Sequence, residues 1–298
     1  MSRHLVVLAG SPRGGIKTWK SLEKYVLNPL NADLAICYGD KFSNNKTKFL
    51  EDNAKYKWIF DEPDNWRKYY EDNFKGNWEN FFLKGIEFGL AGGIDDYRGS
   101  GAIVFGLKDF IKRNFIDDIK KYNYIIYSRF DQYYIDSIPK LKNNMLNIPE
   151  GEDYGGVCDR FIGLSVKDIE EYLSICNYID DKEYEDNLGI IPNCEGVHLA
   201  YLKKTGLENK INRIPRNQFT VSLKNDLTRW RIGKYHYHFM NLYFKYPDEF
   251  IISYKNLKEK YNYLYLVKNK KIDSINYMYL SFRRILGKLK SSLYKGKK

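Results

Sequence analysis

The sequence has few of the features that mark a secreted, membrane-spanning or zinc-binding protein. Its four cysteines are scattered and none form a Cys-x-x-Cys spacing, so neither a disulfide framework nor a zinc site is indicated. No stretch approaches the roughly 18 consecutive apolar residues of a membrane-spanning helix. The start, MSRHLVVLAG, lacks the long apolar segment of a signal peptide. We therefore expect a cytoplasmic protein with reduced thiols.

The C-terminal end of the sequence is basic and has no acidic residues. The net charge is +11 over 298 residues, and the last 18 residues, SFRRILGKLKSSLYKGKK, hold seven Arg and Lys and no acid. The remainder is only mildly basic, so nucleic acid is not an expected partner.

The same tail has apolar residues at helical spacing. They are Ile275, Met278, Tyr279, Phe282, Ile285, Leu286, Leu289 and Leu293. A basic amphipathic helix of this kind can dock on an anionic membrane surface, such as the inner leaflet where lipid-linked acceptors reside. It can equally pack on the domain and end in a frayed lysine-rich segment, and the sequence leaves both interpretations open.

The body of the chain alternates apolar strand-like runs with helix-like segments. Strands are predicted at 4–10, 32–40, 55–63 and 122–130, with helices between them at 66–90 and 100–115. Further along, 152–165 is predicted as a strand or hairpin, and RIPRNQFTVSL as a strand. This alternation predicts an α/β fold with a mostly parallel central sheet flanked by helices. We expect a single Rossmann-like domain over residues 1–268 and a basic helix or tail over residues 269–298.

The stretch YNYIIYSRFDQYY places Arg129 and Asp131 at the end of a buried strand. Ligands of open α/β sheets bind beyond the carboxyl ends of the strands. A carboxylate there can hold a divalent metal, and an arginine two residues away lies on the same side and can neutralise phosphate. The pair therefore suits a nucleoside diphosphate with Mg²⁺ or Mn²⁺. The alternative is a salt bridge at a strand end.

Several motifs follow this pair in a fixed order. They are GGVCDRFIGLS, NCEGVHLAYLKKTGL and NDLTRWRIG. With the opening LVVLAGSPRGG and LNADLAICYGD, this order resembles bacterial and viral GT-A glycosyltransferases, and is similar to the WavE-type lipopolysaccharide and capsule enzymes. The resemblance spans residues 4 to about 235.

The resemblance implies a GT-A-like domain that transfers a sugar from a nucleotide-sugar donor to a glycan or lipid-linked acceptor. It implies a divalent metal, Mn²⁺ or Mg²⁺, with an R-x-D sequence in place of the family's D-x-D. Asp131 would then hold the metal and Arg129 the nucleotide. The chain has no strict D-x-D, so metal dependence rests on Asp131.

The first loop, GSPRGGIKTW, permits two functional interpretations. Its glycines allow close backbone approach to an anion at the start of the next helix. In the GT-A interpretation, Gly10, Ser11 and Arg13 lie beside the nucleotide. The loop is also similar to the phosphate loop of sulfotransferases, which use a sulfonucleotide. A plain tight turn is the structural alternative.

Two carboxylates are candidates for the general base. Asp159, in CDRF, can bind donor-sugar hydroxyls or take the acceptor proton, and Glu195, at the start of a helix, can take that proton instead. Asp159 can also belong to a simple Asp-Arg turn, and Glu195 can simply compensate the helix dipole. The sequence does not choose between them.

The late segment DLTRWRIGKYHYH concentrates basic residues. By analogy with GT-A enzymes, Arg229 and His236 are expected to contact the diphosphate, and His238 the metal, where cations stabilise the leaving nucleotide. A solvated basic loop is the alternative.

Besides a glycosyltransferase and a sulfotransferase, the third hypothesis for the whole chain is a non-enzymatic α/β protein that binds phosphate or a membrane.

Overall fold

Apolar runs with few polar interruptions form the central strands of the protein. The structure is a computed structural model that describes residues 3–43, 46–92, 97–181, 193–226, 242–268, 275, 277–282 and 285–286. The strands are β1 His4–Ala9, β2 Asp33–Gly39, β3 Tyr56–Phe60, β4 Tyr124–Ser128, β5 Gln132–Tyr134, β6 Leu146–Pro149, β7 Phe161–Ser165, β8 Ile211–Ile214, β9 Gln218–Ser222 and β10 Tyr243–Phe244.

Helices connect most of these strands. They are α1 Gly15–Leu22, α2 Asn28–Leu30, α3 Lys48–Asn53, α4 Arg67–Asn73, α5 Trp78–Lys84, α6 Ser100–Ile119, α7 Val166–Leu173, α8 Ile175–Ile179, α9 Cys194–Lys204, α10 Pro247–Lys260 and α11 Tyr263–Lys268. A π-helical stretch, Glu23–Leu27, joins α1 to α2, and 3₁₀ helices cover Asp40–Phe42 and Leu207–Lys210.

The central sheet has seven strands in the order β3-β2-β1-β4-β7-β6-β8. Strands β3, β2, β1 and β4 are parallel, β7 runs antiparallel to both of its neighbours, and β6 and β8 are parallel. Because β7 is reversed, its first residues lie at the same sheet edge as the ends of β1 and β4. The α/β fold with a mostly parallel sheet flanked by helices is therefore confirmed.

Alternate residues of the central strands pack into two apolar layers. Leu5 and Val7 of β1 face a large aromatic-rich core, whereas Val6 and Leu8 face the core that contains Trp19 of α1. This alternation is the period-2 geometry of a strand covered on both faces. All four cysteines are unpaired and buried, as expected for reduced thiols.

A second, three-stranded antiparallel sheet, β10-β9-β5, was not predicted. It lies next to α10, where Phe219, Phe244 and Phe250 form a separate apolar cluster. The segment RIPRNQFTVSL was predicted as one strand. It is two strands in two sheets, because Pro215 cannot donate a ladder hydrogen bond at the junction.

The four predicted strands are present with shorter bounds, whereas the predicted helix 100–115 extends to Ile119. The predicted helix 66–90 is split into α4 and α5, and the predicted strand or hairpin at 152–165 contributes only β7. No helix among the residues that the structure describes is both long and apolar enough to cross a membrane.

A fully buried carboxylate joins the two sheets to α10. One Glu249 oxygen accepts hydrogen bonds from Arg160 Nε at 2.9 Å and Arg216 Nη1 at 3.1 Å. Its other oxygen accepts from the backbone N–H of Thr220 at 2.6 Å. Burial alone would raise the pKa of Glu249, but the charges of Arg216 and Arg160 outweigh burial and hold that pKa below its usual range.

Removing the charge of Glu249 should strongly destabilise the fold. Glu249→Gln removes the buried carboxylate that pairs with the guanidinium groups of Arg160 and Arg216, and breaking a buried ion pair costs about 3–5 kcal/mol. We expect a loss of this size in urea unfolding. The matched control is Glu259→Gln on the same helix, where the Glu259 side chain is 64% exposed and the change should stay within about 0.5 kcal/mol. Equal losses for both variants would contradict the role of Glu249.

Candidate functional site

Three chain segments that are distant in sequence meet at the carboxyl edge of the parallel strands. Ser128, the last residue of β4, is paired with Leu8 of β1 on one side and with Phe161 of β7 on the other. The loop after β1, the Arg-x-Asp segment after β4 and the Asp-Arg pair before β7 therefore converge. This convergence at a strand edge is what the sequence predicted for the first two segments.

Asp131 lies between two arginines. Arg129 donates to both of its carboxylate oxygens, from Nε at 3.0 Å and from Nη2 at 2.5 Å. Arg13 Nη2 lies 3.2 Å from Oδ2, and the Asp131 side chain is 1% exposed. Burial would raise the pKa of Asp131, but the charges of Arg129 and Arg13 hold it below the usual range. The carboxylate is thus ionised and fixed in place.

A third cation, Lys245, faces the same carboxylate. It follows β10, and its backbone N–H donates to Thr220. Burial and the charge of Arg129 lower the pKa of the Lys245 ammonium to about 7, although Asp131 opposes that shift. We call Arg13, Arg129 and Lys245 the cationic cluster. All three basic groups act on Asp131, so the cluster concentrates basic side chains around this carboxylate.

The carboxylate of Asp131 does not fit the role of a metal ligand in this arrangement. Both of its oxygens already accept hydrogen bonds or ion pairs from guanidinium groups. A metal ion there would have to displace them and would lie against the cations of the cluster. Among the residues that the structure describes, no group of three or more His, Cys, Asp or Glu side chains is arranged to hold a metal.

The glycine loop is closed by an internal carboxylate. Asp226 Oδ2 accepts the backbone N–H of Gly14 at 2.8 Å, at the start of α1, and also the N–H of Leu223. Gly14 and Gly15 have positive φ values of 88° and 71°, which suit glycine. The helix N-terminus that would bind a sulfonucleotide phosphate in the sulfotransferase interpretation already has an anion beside it.

A cavity of about 240 Å³ opens beside this loop. Its lining includes Ser11, Arg13, Lys41, Phe42 and Asn225. It combines two aromatic side chains, Phe42 and Trp19, with polar and cationic groups next to the cationic cluster. Gly10 has a φ of 109° and leaves open space where a side chain would lie, so the start of the loop presents bare backbone.

Glu195 and Asp159 meet on the guanidinium of Arg160. Arg160 Nη1 donates to Glu195 and lies 3.4 Å from Asp159 Oδ1. Glu195 is 9% exposed. Burial and the nearby charge of Asp159 raise its pKa to about 7, in spite of the ion pair with Arg160. A carboxylate with that pKa is suited to proton transfer near neutral pH.

The backbone around Glu195 is packed too tightly for another side chain. A Cβ at position 156 would lie 1.9 Å from the carbonyl oxygen of Glu195. That same oxygen accepts the backbone N–H of Val157 at 3.1 Å. Gly156 therefore lets the 152–160 loop lie directly on the first turn of α9. Asn193 caps this helix by accepting the N–H of Gly196.

Two tyrosines form an aromatic wall above Arg160. The guanidinium of Arg160 lies 4.7 Å from the ring centre of Tyr246 and 5.7 Å from that of Tyr154. Lys245 Nζ lies 4.8 Å from the Tyr246 ring. Tyr246 thus contacts Lys245 of the cationic cluster and also Arg160, the partner of Glu195. The Tyr154 ring is 43% exposed, so it offers a flat apolar face beside polar groups.

A buried lysine lies behind these carboxylates. Lys108 of α6 is fully buried, with Nζ 3.5 Å from His198 Nε2 and 4.2 Å from the ring centre of Tyr172. Burial lowers the pKa of Lys108 to about 8, while the charge of Asp159 opposes that shift. His198 lies one turn after Glu195 on α9, so the contact between Lys108 and His198 packs α6 against the helix that carries Glu195.

The predicted site residues therefore divide into three groups. Gly10, Ser11, Arg13, Arg129 and Asp131 come together at one side of the edge, and Asp159 and Glu195 at the other. Arg229, His236 and His238 lie outside the described residues. Sequence reasoning missed Lys245, Asp226, Glu249 and the pairing role of Arg160.

No protein-family model matches this chain, and no curated protein matches it. The resemblance to GT-A glycosyltransferases therefore stays a prediction.

The raised pKa of Glu195 should appear in the stability of the protein. Its folded pKa of about 7 lies above the unfolded value near 4.3, so the folded state binds the proton more tightly. The free energy of unfolding should therefore fall as pH rises from about 5 to 7, by up to roughly 1 kcal/mol per pH unit. Urea unfolding of the native protein and of Glu195→Gln measures this. An unchanged slope in the variant would contradict the assignment.

Proposed function

We propose that the protein is a glycosyltransferase that moves a sugar from a nucleotide-sugar donor to a glycan or lipid-linked acceptor. The observation that carries this proposal is the cationic cluster beside a pair of buried carboxylates at the carboxyl edge of the sheet. The first part suits a diphosphate and the second suits a sugar and an acceptor hydroxyl. We expect the reaction in the cytoplasm.

The cationic cluster would bind the diphosphate. Arg13 and Arg129 present planar guanidinium groups, which pair well with phosphate oxygens. Lys245, with its pKa near 7, would become fully protonated when an anion binds. These cations would also stabilise the negative charge that develops on the leaving nucleoside diphosphate. The cavity beside Phe42 and Ser11 is large enough to accept part of the nucleotide.

The carboxylate pair would serve the sugar and the acceptor. An inverting transfer needs one carboxylate that takes the acceptor proton as the sugar carbon is attacked. Glu195 fits that role because its pKa is near the working pH. Asp159, held on the same arginine, would then bind sugar hydroxyls, and the exposed ring of Tyr154 would pack against the apolar face of the sugar. The opposite division between the two carboxylates remains the alternative.

Charge neutralisation by arginine and lysine replaces the metal in this proposal. Asp131 would position Arg129 and Arg13 and would not bind Mn²⁺ or Mg²⁺ directly. A metal-dependent reaction through Asp131, together with His238, stays the prediction of the family resemblance, and the nucleotide experiment below separates the two.

The proposal is tested by thermal-shift measurements with UDP, GDP, CMP and adenosine 3′,5′-bisphosphate, each with and without Mn²⁺. One nucleoside diphosphate should raise the melting temperature without added metal. Arg129→Gln should weaken its binding roughly 10- to 100-fold, because a charge-assisted hydrogen bond is lost. Arg67→Gln, a helix arginine paired with Glu71 and Glu79, is the control and should bind like the native protein.

Other outcomes of this experiment would count against the proposal. Stabilisation by the bisphosphate alone would favour a sulfotransferase, and no response to any nucleotide would favour a non-enzymatic protein. Asp131→Asn should leave a metal-independent shift in place. A shift that needs Mn²⁺ and disappears in Asp131→Asn would restore Asp131 as the metal ligand.

Substitutions of Glu195 and Asp159 should change different kinetic constants. With the donor that the nucleotide panel identifies, Glu195→Gln should lower kcat for release of the nucleoside diphosphate by about 10²–10⁴, with nucleotide binding unchanged. Asp159→Asn should mainly raise KM for the sugar donor. The reverse pattern would make Asp159 the base. Native turnover in both variants would exclude the pair from the chemistry.

A further inference from the structure

The C-terminal helix has an exposed apolar face. Residues 275, 277–282 and 285–286 are helical, and five of their apolar side chains are 48–79% exposed. They are Ile275, Met278, Phe282, Ile285 and Leu286, which we call the apolar stripe. At about 100° per residue these side chains fall within an arc of about 100°, so they lie on one face of the helix.

The opposite side of this helix packs on the body of the protein. Leu280 is 2% exposed and joins the apolar cluster of α10, and Tyr277 packs against the same cluster. Lys258 Nζ of α10 lies 3.9 Å from the ring centre of Tyr277. The helix is therefore anchored by one face while the apolar stripe points away from the body. Large exposed apolar patches of this kind mark interaction surfaces.

The sequence around the apolar stripe is strongly basic. The last 18 residues carry seven Arg and Lys and no acid, out of a net charge of +11 for the whole chain. A second copy of the chain would bring two such tails together, and their like charges would repel. An anionic lipid surface instead offers both an apolar layer for the stripe and a negative potential for the cations.

We propose that the C-terminal helix docks the protein on an anionic membrane surface, with the apolar stripe inserted at the interface. Of the two interpretations that the sequence leaves open, the exposure of the stripe favours this one, because a helix packed entirely on the domain would bury these side chains. The inference does not rest on the proposed glycosyltransferase activity, since membrane binding can be measured without a donor or an acceptor.

Flotation of the full chain tests the proposal. The protein should float with vesicles of phosphatidylcholine and phosphatidylglycerol and remain at the bottom with phosphatidylcholine alone. High salt should reduce the bound fraction, because it screens the attraction between the basic tail and the lipid headgroups. Phe282→Glu should lower the affinity for the anionic vesicles roughly tenfold or more, because it places a charge within the stripe.

The matched control is Phe88→Glu, which adds the same charge at an aromatic residue of the body that is 47% exposed. It should float like the native protein, and both variants should keep the native melting temperature. Equal flotation of the two variants, or no flotation of the native chain on anionic vesicles, would overturn the proposal. A dimer in solution that Phe282→Glu dissociates would show that a second copy covers the stripe instead.

Discussion

The carboxylate of Glu249 is the interaction on which the arrangement of the site depends. It holds Arg160, which precedes β7, and Arg216, which precedes β9, and it binds the backbone of the second sheet. Arg160 in turn holds Glu195 and Asp159. A chain of buried charges thus runs from α10 to the candidate base. Such charges are tolerated only when every partner is present, so the site is rigid where proton transfer would need it to be.

The second set of charges is arranged differently. Around Asp131 three basic side chains lie close together, and burial and the charge of Arg129 lower the pKa of Lys245. Under the proposed function, the phosphates of the donor would neutralise these basic groups. The two halves of the site therefore differ. In one, buried arginines hold carboxylates; in the other, basic side chains gather around Asp131, and the Tyr246 ring lies near Arg160 of the first and Lys245 of the second.

Local sequence patterns were sufficient to predict the four parallel strands β1 to β4 and the sheet edge at which Arg129 and Asp131 lie, but not β6. β1, β2, β3 and β4 were found because each is an apolar run bounded by turn residues. The second sheet was missed because its three short strands come from distant parts of the chain. Sequence distance also decides which site residues could be predicted. Arg129 and Asp131 are close in sequence and were found together, whereas Lys245 and Glu249 join the site only through long-range packing. The contact between Arg13 and Asp131 joins the loop after β1 to the segment after β4, so the sequence did not reveal that two arginines share this carboxylate.

Gly156 has a consequence for the evolution of this protein. Any side chain at position 156 would collide with the backbone of Glu195. A substitution there would require the loop to move away from α9. Homologous chains that keep this contact between the loop and α9 should keep the glycine too, even after the rest of the sequence has diverged. We therefore expect a glycine three residues before the Asp-Arg pair in distant relatives that share this packing.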